Sequence, residues 1–244
     1  MIQKKSRFLA IIVIFLVSAG YLYFYFFSKP TEFLKEDDLI ETINRYNYNP
    51  DAIEIQDIIF LGDTHVFVPF IHEHGYGTSY WFWKNRKWEL AGVSTIQQPT
   101  LWKVNPKDPS TYVVLWNINP DNLMTTFDIY LLNRRGYIVS NYVHRYTPGV
   151  QLHFSVPFEK DVKSYGVQSL PKEWIAFLDS FLKVEKSKYP TTLFSFQHSR
   201  INYRWIPYDD NGEVSFPTFN QGTGHSTGNI NLLYISRLLE HELE

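Results

Sequence analysis

The sequence predicts an α+β protein: an N-terminal transmembrane helix followed by one mostly antiparallel β domain with flanking helices. Three observations carry that expectation. Residues Phe8 to Phe27 read FLAIIVIFLVSAGYLYFYFF, 20 residues without a charge. Residues 53–156 carry short runs rich in Ile, Val, Phe, Tyr and Trp, closely spaced and separated by turn residues. In residues 172–188, Trp174, Phe177, Leu178, Phe181 and Leu182 fall at i, i+3, i+4, i+7 and i+8, one face of an amphipathic helix. The chain then divides into a cytoplasmic tail (1–7), a transmembrane signal-anchor (8–27), a helical connector (28–50) and an extracytoplasmic α+β domain (51–244).

The first element rests on length. A helix rising about 1.5 Å per residue spans a bilayer core with about 20 apolar residues. Lys4, Lys5 and Arg7 precede the run and Lys29 follows it; Tyr21, Tyr23 and Tyr25 sit near one end, where amphipathic rings favour the interface. Val17-Ser18-Ala19 offers a signal-peptidase site, the alternative to an anchor. The apolar run continues through YLYFYFF, which favours the uncleaved form. The basic N-terminal flank predicts residues 1–7 inside and residues 28–244 outside.

The next elements follow from pattern. Residues 31–46 read as a helix, with Asp38-Leu39-Ile40-Glu41 like a capping box and Asn49-Pro50 as its stop. IEIQDIIFL, VFVPFI, SYWFW, WELAGV, TYVVLWNI, FDIYLL, YIVSNYV and QLHFSV read as strands. Lys84-Asn85-Arg86-Lys87 and Asn133-Arg134-Arg135-Gly136 read as hairpin turns between neighbours, so the sheet is antiparallel. Tyr189-Pro190 ends the helix over 172–188. LFSFQ reads as a strand, and YRWIPY with EVSFPTF as a hairpin around Asp210-Asn211-Gly212. A helix is favoured over 229–242.

Composition excludes several function classes. The 244 residues contain no Cys, which removes disulfides, thiolate zinc sites, iron–sulfur clusters, a cysteine nucleophile and a lipoprotein anchor. A formal net charge of -2 argues against nucleic acid as a partner. Without Lys4, Lys5 and Arg7, 20 basic residues face 25 acids, a surface mildly repelled by anionic lipids and wall polymers. No Asn-X-Ser/Thr sequon occurs.

Five constellations bear chemistry-competent residues. His72 and His74 are two apart, so on a strand both point to one side, as two metal ligands must; Asp63 or His65 would supply a third across the hairpin. The plainer reading is a polar loop tip, since Gly75-Tyr76-Gly77 follows. Ile58–His65, IIFLGDTH, resembles the opening of a metallophosphoesterase, which would make Asp63 and His65 its first ligands. The later motifs of that family are missing, so the resemblance stops after eight residues. Trp81, Trp83 and Trp88 would share one sheet face, either an aromatic ligand platform or core. Gly224-His225-Ser226-Thr227-Gly228 matches G-x-S-x-G, with Glu240 and His241 after it. A nucleophile elbow needs an apolar strand before it, and Asn220-Gln221-Gly222-Thr223 is not one. Gly224, Ser226 and Gly228 also offer an anion loop at a helix N-terminus. Asp209-Asp210-Asn211-Gly212-Glu213 lacks the spacing of a calcium loop and reads as a turn.

The Trp-rich hairpin and the anchor together resemble uncharacterised single-pass membrane-anchored exported proteins of Gram-positive bacteria. That resemblance is general and transfers no activity or site residue. The expected function is a cell-envelope binding or assembly module without catalysis or cofactor, engaging the lipid bilayer through residues 8–27 and a wall polymer, a peptide or another membrane protein through its domain. The alternatives are an envelope hydrolase, metal-dependent at His72 and His74 or serine-type at Ser226, and a structural subunit of a membrane complex.

Overall fold

The computed structural model describes residues 11–21, 23, 29–46, 49–140, 142–158, 163–188, 201–217, 222–227, 230–239 and 242–243. Strands in three sheets stack face to face. The first sheet runs β1 (Ala52–Ile55), β3 (His65–His72), β4 (Gly75–Lys84), β5 (Lys87–Ser94), β14 (Gly224–Ser226), and β2 (Ile59–Phe60) also pairs with β3. The second runs β12 (Tyr165–Ser169), β7 (Tyr112–Asn117), β6 (Thr100–Lys103), β15 (Leu232–Tyr234). The third runs β11 (Val150–Pro157), β8 (Met124–Asn133), β13 (Ile201–Asp209), β16 (Ser236–Arg237). Between β8 and β11, β9 (Gly136–Ser140) and β10 (Val143–Thr147) pair, among the described residues, only with each other. Pairing is antiparallel except for β13 with β16.

Alternation along the strands builds the layers. On β3, Val66, Val68 and Phe70 face outward, under the helix α1 (Glu36–Asn44), while Phe67 faces the second sheet. On β7, Val113 and Leu115 face the first sheet, and Tyr112, Val114 and Trp116 face the third. On β8, Phe127, Ile129 and Leu131 face the second sheet, and Tyr130 and Leu132 face away from it. Strands buried on both faces read as continuous apolar runs, which is why these segments show little alternation. The helix α2 (Lys172–Lys188) closes the layer between the second and third sheets with Trp174 and Leu178. Leu39 and Ile43 anchor α1 on the first sheet; full burial of two such side chains stabilises by about 3–6 kcal/mol.

A polar knot joins the first two sheets. Asn117 Nδ2 donates to Gly77 O (2.7 Å), Phe70 O (3.1 Å) and Gln56 Oε1 (2.8 Å), and Asn117 Oδ1 accepts from Ser164 Oγ (2.9 Å). Gln56 Nε2 closes the ring on Ser164 Oγ at 2.8 Å. Each buried polar atom in it has a partner, as burial requires.

The structure corrects the predicted class. It is mostly β, 46% strand against 20% helix. The terminal apolar run, predicted helical, instead forms β15 and β16, because Leu232, Leu233 and Tyr234 complete the edge of the second sheet beside β6. The predicted membrane span is corrected as well: among the described residues no helix is long and apolar enough to cross a membrane. Helix covers residues 11–21 and Tyr23. Residues 8–10, 22 and 24–27 lie outside the described residues. The single-pass signal-anchor, the cell-membrane localisation and the extracytoplasmic placement of residues 28–244 rested on that span and fall with it.

Other elements match their sequence signals. The helix over 172–188 has those bounds. The β4–β5 turn places Asn85 (φ 51°) and Arg86 (φ 62°) in the left-handed region, the geometry of a two-residue type I′ hairpin. The helix expected over 31–46 is α1, without a capping box: it begins at Glu36, and its N-cap Lys35 makes no side-chain cap bond. The expected strand LFSFQ lies outside the described residues.

Candidate interaction site

The β8–β11 ladder runs to the pair Asn133↔Val150. Asn133 Nδ2 then donates to Pro148 O at 3.0 Å, pinching the base of the arm formed by β9 and β10. Arg134, at the same base, reaches Glu242 Oε1 at 3.5 Å. Glu242 is buried and takes three further bonds from Arg204, from Nε at 2.8 and 3.0 Å and from Nη2 at 2.9 Å. Those Arg204 hydrogen bonds hold the Glu242 carboxyl below the usual carboxylate range. The base of the arm is therefore fixed to the third sheet by a charged lock.

Beyond the base, five pairs from Gly136↔Thr147 to Ser140↔Val143 make up the arm. Tyr137 and Val139 lie on one face, opposite Tyr146 and His144. The Tyr137 hydroxyl and His144 Nδ1 are hydrogen-bonded. Tyr142 stands at the tip with φ 63°, a left-handed conformation that non-glycine residues seldom adopt. Exposure along this face is high: Tyr137 63%, Val139 53%, Tyr146 69% and Tyr142 98%. Single exposed apolar residues are ordinary, but a contiguous aromatic face on a projecting hairpin is not. Residues 134–147 also carry three arginines and no acid, within a chain of net charge -2.

The residues predicted from sequence fall elsewhere. Asp63 is exposed in the turn before β3, and His65 begins that strand. His72 ends it, seven residues on, a distance of about 23 Å along an extended chain. The proposed set of Asp63, His65, His72 and His74 is thus split between the two ends of one hairpin. His65 packs edge-on against Trp102, ring centres 5.4 Å apart, and burial lowers its pKa. His72 is buried; its Nδ1 accepts the His74 N–H at 3.3 Å, and its Nε2 has no partner among the described residues. Burial also lowers the pKa of His72, with a further push from His74 and an opposing pull from Asp51. Among the described residues no three His, Asp or Glu are placed to hold a metal.

Trp81, Trp83 and Trp88 do share one face, with Trp83 and Trp88 ring centres 5.4 Å apart. It is not open. Phe33 packs edge-on against Trp81 (5.8 Å) and Trp88 (4.9 Å), and Trp88 Nε1 donates to Thr31 O at 3.2 Å. The segment leading into α1 covers the platform. Gly224 and Ser226 lie on β14, paired with β5, so Ser226 occupies an extended strand and not the strand-to-helix turn of a nucleophile elbow. For the same reason Gly224 and Ser226 do not open a helix. Gly92 makes this pairing possible: a Cβ there would meet Ser226 Cβ at 3.1 Å. Gly228, Glu240 and His241 lie outside the described residues.

The arm was missed in the sequence because alternation in YIVSNYV is also what a strand of the main sheet shows. Only the pairing partners separate the two, and these are set by β11 and β13 far along the chain. No known protein family, curated protein or solved structure matches this chain.

Proposed function

We propose that the chain is a binding module that holds a peptide or protein partner on the β9–β10 arm. The observation that carries this reading is the exposed face of Tyr137, Val139 and Tyr146 with Tyr142 at its tip. Tyrosine supplies a large contact area at low entropy cost and is enriched where binding energy concentrates. An isolated two-stranded hairpin is marginal in water, so a third strand or an apolar surface laid on it would be favourable. Among the described residues β9 and β10 have no other strand neighbour, the arrangement that strand addition by an extended segment uses.

Site-specific photo-crosslinking in the source cells tests this. A photoreactive phenylalanine analogue at position 142 should give one adduct of discrete mass, lost when Tyr137→Ser and Tyr146→Ser are added. The same analogue at position 184, exposed on α2, should not give it. No adduct at 142, or the same products from 142 and 184, would overturn the reading. An adduct of twice the chain mass would replace the foreign partner with a second copy.

A further inference from the structure

We propose that the outer face of the third sheet is a peptide-docking groove, closed by the chain's own residues 236–242, and that its partner is a segment with an apolar side chain and, four residues on, a carboxylate. β8 and β13 lay the floor. Tyr130 and Leu132 face away from the second sheet, and Ile206 packs beside them. Arg204 stands directly across from Tyr130, so it rises from the same face, and Arg134 follows the end of β8. An apolar floor thus runs up to two guanidinium groups.

The segment seated there shows what this surface takes. β16 meets β13 through two parallel pairs, Arg204↔Ser236 and Trp205↔Arg237. The Leu238 N–H donates to Trp205 O at 2.9 Å, and the Leu238 side chain is buried on Tyr130 and Leu132. The Glu242 N–H donates to Leu239 O at 2.8 Å, a turn that brings the carboxylate back over Arg204, where the Leu239 N–H also reaches it at 3.1 Å. Leu238 and Glu242 are buried, while Ser236, Leu239 and Leu243 are exposed. Arg237 flanks the groove, its guanidinium 4.5 Å from the ring centre of Phe216.

Two features mark this contact as one that opens locally. Leu238, Tyr130 and Leu132 form a small cluster of their own, apart from the layers between the sheets, so release of the segment uncovers none of those layers. The carboxylate seat also has support beyond its occupant. Arg204 Nη1 donates to Tyr203 O at 3.0 Å, which holds Nε and Nη2 as a fork for any carboxylate. A tethered occupant competes at an effective concentration on the order of millimolar, so the closed contact is autoinhibitory: it excludes weak partners and yields to a strong one.

Fluorescence anisotropy with the labelled peptide ISRLLEHELE, the sequence of residues 235–244, tests this on the full chain. Leu238→Ser with Glu242→Gln opens the groove. The opened chain should bind the peptide at least about tenfold more tightly than the parent does. Glu242→Gln in the peptide, or Arg204→Gln in the opened chain, should each weaken binding about tenfold. No binding to the opened chain, equal binding to both chains, or binding indifferent to the carboxylate and to Arg204 would overturn the proposal. Hydrogen exchange of the unaltered chain needs no variant to fold. The Leu238 amide should exchange about a hundredfold faster than the amides of β13 paired with β8. Exchange of Leu238 only together with those amides would also overturn it.

Discussion

Replacing Asn117 with Leu keeps the volume of the side chain and removes its four hydrogen bonds in the knot between the first two sheets. Phe70 O and Gly77 O lose the amide that bridges them, and the Ser164 hydroxyl loses its acceptor. Leaving a buried polar group without its partner costs about 1–3 kcal/mol. Three such groups, with some recovery by rotation of the Ser164 hydroxyl, put the loss at about 3–5 kcal/mol. In a domain of this size that lowers Tm by about 10 °C. Ser164→Ala alone should cost about 1–2 kcal/mol. Because the two residues share one network, the double variant should fall short of the sum by about 1 kcal/mol. Urea unfolding followed by fluorescence and by far-ultraviolet circular dichroism measures all four species and checks that one transition is seen. A loss below about 1 kcal/mol for Asn117→Leu, or strict additivity with Ser164→Ala, would refute the idea that this knot joins the sheets.

Two further predictions follow from burial. Burial holds His72 below its ordinary pKa, so the unfolded chain gains a proton near pH 6.5 while the folded chain resists it. Stability is therefore full above about pH 6.5 and falls as pH drops below it, and His72→Gln should flatten part of that slope in pH-resolved unfolding, with His65 supplying the rest. Gly166 lies across from Trp116, and a Cβ there would sit 2.1 Å from the indole; Gly166→Ala should cost about 2–3 kcal/mol and weaken the near-ultraviolet tryptophan signal, and an unchanged spectrum and Tm would show that the ring has room to move.

Local chemistry explains what could be read in advance. The β4–β5 hairpin, the helix over 172–188 and the turn around Gly212 (φ 78°) are each decided by residues within one or two turns of chain. The β8 region is different. Asn133-Arg134-Arg135-Gly136 signals a turn, and the chain does turn there, but β8 pairs with β11 and β13 while β9 folds onto β10. Two nested hairpins present the same local signal as two consecutive ones. The run Leu232–Tyr234 is too short to show a period, and pairing with β6 decides it. His72 and His74 share a strand end as their spacing implies, but the length of β3 separates them from His65 and Asp63.

An arm that serves a partner and not the fold is dispensable for stability. Replacing Gly136–Thr147 with Asn-Gly, so that Arg135 leads through a tight turn to Pro148, and following thermal unfolding tests this most directly. Because the exposed face of the arm covers none of the described core, the variant should unfold in one cooperative transition within about 2 °C of the parent. A fall of about 10 °C or more, or a broadened transition, would show that the arm supports the third sheet and would contradict the account.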